Sequence, residues 1–284
     1  MRFPIKFNRT SLPSILKILP NQCDPRKLLL KNFLLDDFES SISAIKADNI
    51  WKTTKRNRHV ISDQLIRNKL SHFINPVILE VGASSGTASL DLIKSTYNSI
   101  NKFYITDLSF SIRYIVKDDK TYFYHPVSKK CVMCVSDRWI FYNDSSNSTY
   151  PLGAIIKKIF TKAPSYDPGS LGNLSLIHPT IKEIALNDKR IIVREFDIFE
   201  EWELQKVDLI KVANVLNLTY FSEKLIRKAV INLKRALKKG GYLIITESRK
   251  NERVSIFKLT DSGAFTLVEN VNSGCQIEQI INEK

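Results

Sequence analysis

Three carboxylates and two amides of this chain stand where they could do chemistry. Glu80 closes the apolar run Val77-Ile78-Leu79 and leads into Val81-Gly82-Ala83-Ser84-Ser85-Gly86. Asp107 follows the short run Phe103–Thr106, and Asp197 follows Arg190–Arg194. Asn214 and Asn217 follow the apolar run Val207–Ala213. A buried strand delivers a glycine-bearing turn to the carboxyl edge of a parallel sheet, where glycine lets backbone approach a ligand that a Cβ would repel. An acid about 20 residues beyond such a turn is placed to accept ribose hydroxyls. This is hydrogen-bonding chemistry for a nucleotide-like cofactor. Each acid also has a plain structural reading: Glu80 as an acceptor that orders the turn, Asp107 as a helix N-cap before Ser109 and Ser111, Asp197 as a solvated loop acid.

The remaining reactive residue types are less suggestive. Cys131 and Cys134 form one Cys-x-x-Cys without a second pair, and Cys23 and Cys275 are remote, so neither a zinc site nor a disulfide framework is expected and no metal is assigned. On a regular strand residues three apart point to opposite faces, so the two are read as buried structural thiols. His59, His72, His125 and His178 are read as packing or surface residues, and no general base is assigned. Tyr220 and Lys224 are spaced so that the lysine could lower the phenol pKa.

These residues need a frame. Residues 1–75 read as an N-terminal helical cap, with Ser62–Phe73 carrying Leu65, Ile66, Leu70 and Phe73 at helical spacing before Asn75-Pro76 stops it. A strand, a turn and a helix occupy about 77–98. Residues 76–284 then form one cofactor-binding domain interrupted by an insertion over 111–180. Within the insertion, Tyr122–His125, Lys130–Val135 and Arg138–Tyr142 predict an antiparallel meander, Asn143–Thr149 a polar loop, Leu152–Phe160 a short helix and Ala163–Asn173 a loop. Beyond it, Glu223–Leu237 predicts an amphipathic helix with Leu225, Ile226, Ala229, Val230, Leu233 and Leu237 on one face, ended by Gly240-Gly241. Tyr242–Thr246 follows as a strand, and Ile256–Leu259 with Ala264–Val268 as closing antiparallel strands. The fold class is α/β, a doubly wound and mostly parallel sheet with N-terminal helices and a β-rich insertion.

Three cofactor readings meet this frame. A phosphate-binding loop is excluded because no Gly-Lys-Ser/Thr follows Gly82, and the dinucleotide fingerprint fails where Ser84 and Thr87 replace glycines. Gly82-Ala83-Ser84-Ser85-Gly86 with Tyr220 and Lys224 resembles the short-chain dehydrogenases, but Ala88 replaces that family's third glycine. The order Glu80-x-Gly82…Gly86, Asp107, Asp197, Val207-Asp208-Leu209-Ile210 and Leu237-Lys238-Lys239-Gly240-Gly241-Tyr242-Leu243 resembles the class I S-adenosylmethionine-dependent methyltransferases, over about 77–112 and 190–247. Asn214-Val215-Leu216 with Tyr220-Phe221 is also similar to a segment of chemotaxis-receptor glutamate methyltransferases.

The resemblance implies S-adenosyl-L-methionine as cofactor. It implies that Gly82, Ala83, Ser84 and Gly86 form the turn around its methionine and ribose parts, with Ser84 departing from the family's usual glycine. Glu80 would anchor the ammonium, directly or through water; Asp107, with Leu108 beside it, would take the ribose diol; Asp197 with Ile198 or Phe196 would take the adenine; Asn214 would line the transfer site, with Asn217 nearby. No Asn/Asp-Pro-Pro-Tyr/Phe string supports exocyclic adenine methylation.

Composition bounds the rest. The 284 residues carry a net charge of +14, with local concentrations at Lys52–Arg58 and Lys234–Lys239, but basic residues are spread along the whole chain. Nucleic acid is thus a possible partner from charge alone, a small-molecule acceptor the preferred one, and an RNA or protein methyltransferase or an NAD(P) oxidoreductase the alternatives. With no secretory signal and no apolar run of the ~18 residues a spanning helix needs, a cytoplasmic protein is expected.

Overall fold

The computed structural model describes residues 5–7, 23–30, 33–47, 50–137, 139–143, 164, 168–248 and 250–282. The helix expected over Leu152–Phe160, the loop after Asn143 and residues 163 and 165–167 of the loop expected over Ala163–Asn173 lie outside the described residues; the end of that expected loop, Gly172-Asn173, is strand. The elements are, first, β1 (Ile5–Phe7), α1 (Leu35–Ile42), β2 (Lys46–Ala47) and β3 (Ile50–Trp51). Then come α2 (Val60–Leu70), β4 (Val77–Val81), α3 (Ser89–Thr96) and β5 (Lys102–Asp107). Five strands follow: β6 (Ser111–Lys117), β7 (Lys120–Tyr124), β8 (Cys131–Ser136), β9 (Trp139–Tyr142) and β10 (Gly172–Ser175). The chain closes with α4 (Pro179–Asn187), β11 (Ile191–Glu195), β12 (Val207–Ala213), α5 (Glu223–Ala236), β13 (Leu237–Ser248), β14 (Glu252–Leu259), β15 (Phe265–Val271) and α6 (Glu278–Asn282).

The chain forms two compact units, one of residues 1–54 with 109–178, the other of residues 55–108 with 179–284. The divisions differ from the boundaries at 75 and 111–180 read from sequence. Among the described residues of the first unit, the helical elements are α1 and short 3-10 turns at Pro25–Leu29 and Pro168–Ser170. Its main sheet is antiparallel throughout, in the order β1-β9-β8-β7-β6-β10. The meander expected from sequence is therefore present, flanked by β6 and β10, which sequence patterning did not resolve. Phe38, Ile42, Ile45, Phe123, Met133 and Ile140 are buried in its core.

One expectation about this sheet is corrected. Cys131 and Cys134 do not lie on opposite faces: both pack with Tyr122, Tyr124 and Phe141 in one cluster. The register shows why. Met133 pairs with Phe123 but Cys131 pairs with Tyr124, so the ladder slips between them and the bulge resets the alternation.

The second unit is built on seven strands in the order β11-β5-β4-β12-β13-β14-β15, with the first five parallel and the last two antiparallel. This is the mostly parallel α/β sheet expected from the alternation of strands and helices. Every residue of β4 and β12 is buried, as befits parallel strands covered on both faces. In α5, Ile226, Ala229, Val230, Leu233 and Ala236 are buried at helical spacing, whereas Leu225 is exposed.

The Gly240-Gly241 pair does not terminate that helix. The helix ends at Ala236, and β13 starts at Leu237 and passes through both glycines. The β12–β13 register shifts between Val207 and Leu209, Gly240 adopts φ 78°, and a Cβ on Gly241 would stand 2.8 Å from the Asp208 carbonyl. The glycines accommodate an irregular strand beside β12. Lys238 Nζ, 2.9 Å from Asp208 Oδ1, and the Val77 amide, 2.8 Å from Asp208 Oδ2, fix the same end of the sheet.

Candidate functional site

The β4–α3 turn sits at the middle of the second unit's sheet, between the carboxyl ends of β5 and β12. It is docked firmly onto β5. The amides of Gly82 and Ala83 both donate to the Thr106 carbonyl at 2.9 Å, and Thr106 Oγ1 returns a bond to the Glu80 carbonyl at 2.8 Å. Gly82, Ser84 and Gly86 have φ of 78°, 60° and 78°. Ser84 thus takes a left-handed conformation that costs a non-glycine residue on the order of 1 kcal/mol. Its amide points at Asp107 and bonds Oδ2 at 2.7 Å, which ties the turn to the end of β5.

Gly82 serves a purpose besides ligand approach. A Cβ there would lie 2.0 Å from Val215 Cγ2, so the residue after Asn214 packs directly onto the turn. At Gly86 a Cβ would stand 3.2 Å from Ile181 Cγ1, a tight but less severe contact.

Glu80 is buried and not solitary. Its Oε1 lies 3.0 Å from Lys211 Nζ, and the same ammonium lies 2.8 Å from Asp63 Oδ1 of α2. Lys211 is fully buried. A buried ammonium persists only when paired. Burial drives Lys211 toward neutrality, but Glu80 and Asp63 outweigh it and hold its pKa above the ordinary value. Burial pushes Asp63 up to about 6, against the attraction of Lys211. Glu80 Oε2 and Ser84 Oγ are buried without a hydrogen-bond partner.

The other sequence-derived residues are placed as follows. Asp107 ends β5, is buried, and has Glu195 as its register partner on β11. Leu108 beside it is exposed. Asp197 Oδ1 accepts the Phe199 amide at 2.9 Å, a local turn bond. Ile198 is buried in the main core, while half-buried Phe196 meets Trp202 edge to face. Asn214 has φ 59° and clamps two strand ends: its Oδ1 accepts from the Ser248 amide at 2.6 Å and its Nδ2 donates to Ser248 Oγ at 3.3 Å. Asn217 Oδ1 accepts the amides of Thr219 and Tyr220 and shapes a turn. Tyr220 is exposed, and among the described residues no hydrogen bond joins it to Lys224.

The structure adds His59, Asp63, Lys211 and Ser248 to this edge. Buried His59 has Nδ1 3.4 Å from Ser248 Oγ, beside the Asn214 clamp. Burial, reinforced by Lys211 and Arg58, pushes it down to about 2, so its imidazole is neutral. Nothing in its sequence spacing signals this placement. Lys211 did leave a signal, a lone cation inside the apolar run of β12.

No family model and no curated protein matches this chain. Solved structures that it resembles include S-adenosylmethionine-dependent methyltransferases. The N-methyltransferase NodS from Bradyrhizobium japonicum WM9, in complex with S-adenosyl-L-homocysteine, is 16% identical over 74% of this chain and 73% of that one, at a TM-score of 0.36. A putative methyltransferase of the same cofactor class from Methanococcus maripaludis is 14% identical over 67% of this chain and 55% of that one, at 0.34. A putative sarcosine dimethylglycine methyltransferase from Galdieria sulphuraria is 12% identical over 66% and 46%, also at 0.34. This chain therefore spans about half the length of the latter two.

Proposed function

We propose that the carboxyl edge of the parallel sheet binds S-adenosyl-L-methionine and that the protein is a methyltransferase. The observation that carries this reading is the pair of unpartnered buried oxygens, Glu80 Oε2 and Ser84 Oγ, on a left-handed turn whose neighbouring strand ends in Asp107. Of the eight such atoms among the described residues, these two sit on the turn and on the strand that leads into it, where a ligand group would satisfy them. Glu80 Oε2 is the acceptor for the cofactor's ammonium, and Asp107 the acceptor for the ribose hydroxyls. Gly82, Ala83 and Gly86 bring backbone to the ligand, Leu108 covers its edge, and Asp197 with Ile198 bounds the adenine. Asn214, fixed to Ser248, sets the wall at which the acceptor meets the cofactor.

When bound, the cofactor supplies a methyl group on a sulfonium that departs as a neutral thioether. The chain's own task is orientation and exclusion of water. The Asn214–Ser248–His59 cluster braces the carboxyl edge of the sheet, and its neutral imidazole would add no positive charge to a site that takes a sulfonium. We take the acceptor to be a small molecule. Among the described residues no helix is long and apolar enough to cross a membrane.

Calorimetric titration with S-adenosylhomocysteine, S-adenosylmethionine and NADPH tests the reading. Saturable binding of the first two, weakened by Asp107→Ala, is expected. Binding of NADPH alone, or unchanged affinity in the variant, refutes it.

A further inference from the structure

The second unit has a cavity of about 400 Å³ lined by Lys250, Asn251, Arg253, Asn272 and Ser273. It lies between the β13–β14 turn and the turn that follows β15. Among the described residues no acidic residue lines it. The nearest one in sequence, Glu252, has both carboxylate oxygens occupied, accepting the amides of Ile61 and Ser62 in the first turn of α2 at 2.9 and 3.0 Å. Its carboxylate caps a helix and keeps its charge, so the lining cations are offset in part and not cancelled. Among the described residues neither Lys250 nor Arg253 has a carboxylate partner, and no hydrogen bond occupies the side chains of Asn251 or Ser273.

The walls are fixed. Asn272 Nδ2 donates to the Glu252 carbonyl at 2.8 Å and ties one turn to the other. Asn272, Ser273 and Gly274 take successive left-handed φ values of 53°, 68° and 62°. A Cβ at Gly274 would collide with Glu278 Oε1 and lie within 3 Å of Ser255 Oγ and Asn270 Oδ1, so the turn is pressed onto α6, β14 and β15. Two cations and three neutral polar residues therefore line a half-open depression of the size that small ligands use.

We propose that this cavity binds the phosphate group of a small phosphorylated molecule. Arg253 offers a planar fork to two phosphate oxygens, Lys250 a point charge, and Asn251, Asn272 and Ser273 supply further polar groups. A nucleic-acid track is disfavoured by the position of the nearest sequence cluster of cations. Lys238 opens the other end of β13, roughly 35 Å away at strand rise, and is paired with Asp208. The proposal stands independently of methyl transfer.

The test is titration of the whole protein with inorganic phosphate at constant ionic strength, followed by calorimetry. A second titration uses a ten-nucleotide single-stranded DNA. Saturable phosphate binding is expected, weakened about tenfold or more in Lys250→Gln/Arg253→Gln, as loss of charge-assisted bonds demands. Asn251→Asp, which puts a carboxylate at the rim and leaves every recorded contact in place, is expected to weaken it likewise. Matched chloride giving the same signal, or unchanged affinity in both variants, overturns the proposal. So does DNA that displaces phosphate and is lost in the same variants, which makes the surface a nucleic-acid contact.

Discussion

Lys211 and Glu80 are register partners on the adjacent parallel strands β12 and β4, and their side chains form a 3.0 Å ion pair in the interior. Asp63 closes the group from α2, so one ammonium serves two buried carboxylates. Removing the ammonium strands both acids without compensation, which typically costs 3–5 kcal/mol. Lys211→Met is expected to lose stability of about that size in urea unfolding. The triple variant Lys211→Met/Glu80→Gln/Asp63→Asn is expected to recover most of it, because no charge then remains buried. A triple variant as unstable as the single one would show that the side chains matter for shape and not for charge.

The same group makes stability depend on pH with a definite sign. Asp63 has a folded value of about 6 against 3.8 for the free side chain. Between those values the folded chain keeps a proton that the unfolded chain has released. Its contribution is thus favourable at low pH and is lost as pH rises from about 4 to 6. The loss is on the order of 2–3 kcal/mol, from the size of the shift. The measurement that isolates this group is the difference between wild type and Asp63→Asn. That difference should shift against the wild type from pH 4 to 6 and be flat above. A difference that is constant across the range would mean that Asp63 is not perturbed.

Much of the frame was legible because it rests on local signals. The glycine turn after β4, the acid at the end of β5 and the amphipathic α5 are each written in a few neighbouring residues, and the meander was visible in its alternation. What escaped depends on contacts between distant parts of the chain. The pairing of Lys211 with Asp63 joins residues on a strand and a helix far apart in sequence, and His59 meets Ser248 only once α2 is in place. The faces of Cys131 and Cys134 were misread because a bulge leaves no mark in the residue types. Strand β13 was shortened because Gly240-Gly241 reads as a helix stop, although tertiary pairing with β12 carries the strand through it.

Gly82 is held by packing as well as by conformation. Its φ is 78°, and an added Cβ would lie 2.0 Å from Val215 Cγ2. Gly82→Ala is expected to cost about 2–4 kcal/mol, the sum of left-handed strain and overpacking. Adding Val215→Ala makes room for the methyl but leaves the strain, so the double variant should recover part of that loss. A double-mutant cycle in urea reads the coupling. Strictly additive effects would place the cost in the backbone alone.

The bulge in β8 sets the reactivity of two thiols. Cys131 and Cys134 pack on one face with Tyr122 and Phe141. Burial pushes Cys131 up to about 12, with the neighbouring Cys134 adding to it, and burial pushes Cys134 up to about 11. At pH 8 a thiol of pKa 11 is only about 0.1% thiolate, and the thiolate is the form that attacks an alkylating reagent. Both cysteines are expected to resist iodoacetamide in the native protein and to become reactive together as urea opens the antiparallel sheet. Peptide mapping after timed labelling checks this. Since the two share one cluster, their protection should vanish at the same urea concentration; rapid native labelling of either would show that the cluster does not exclude solvent.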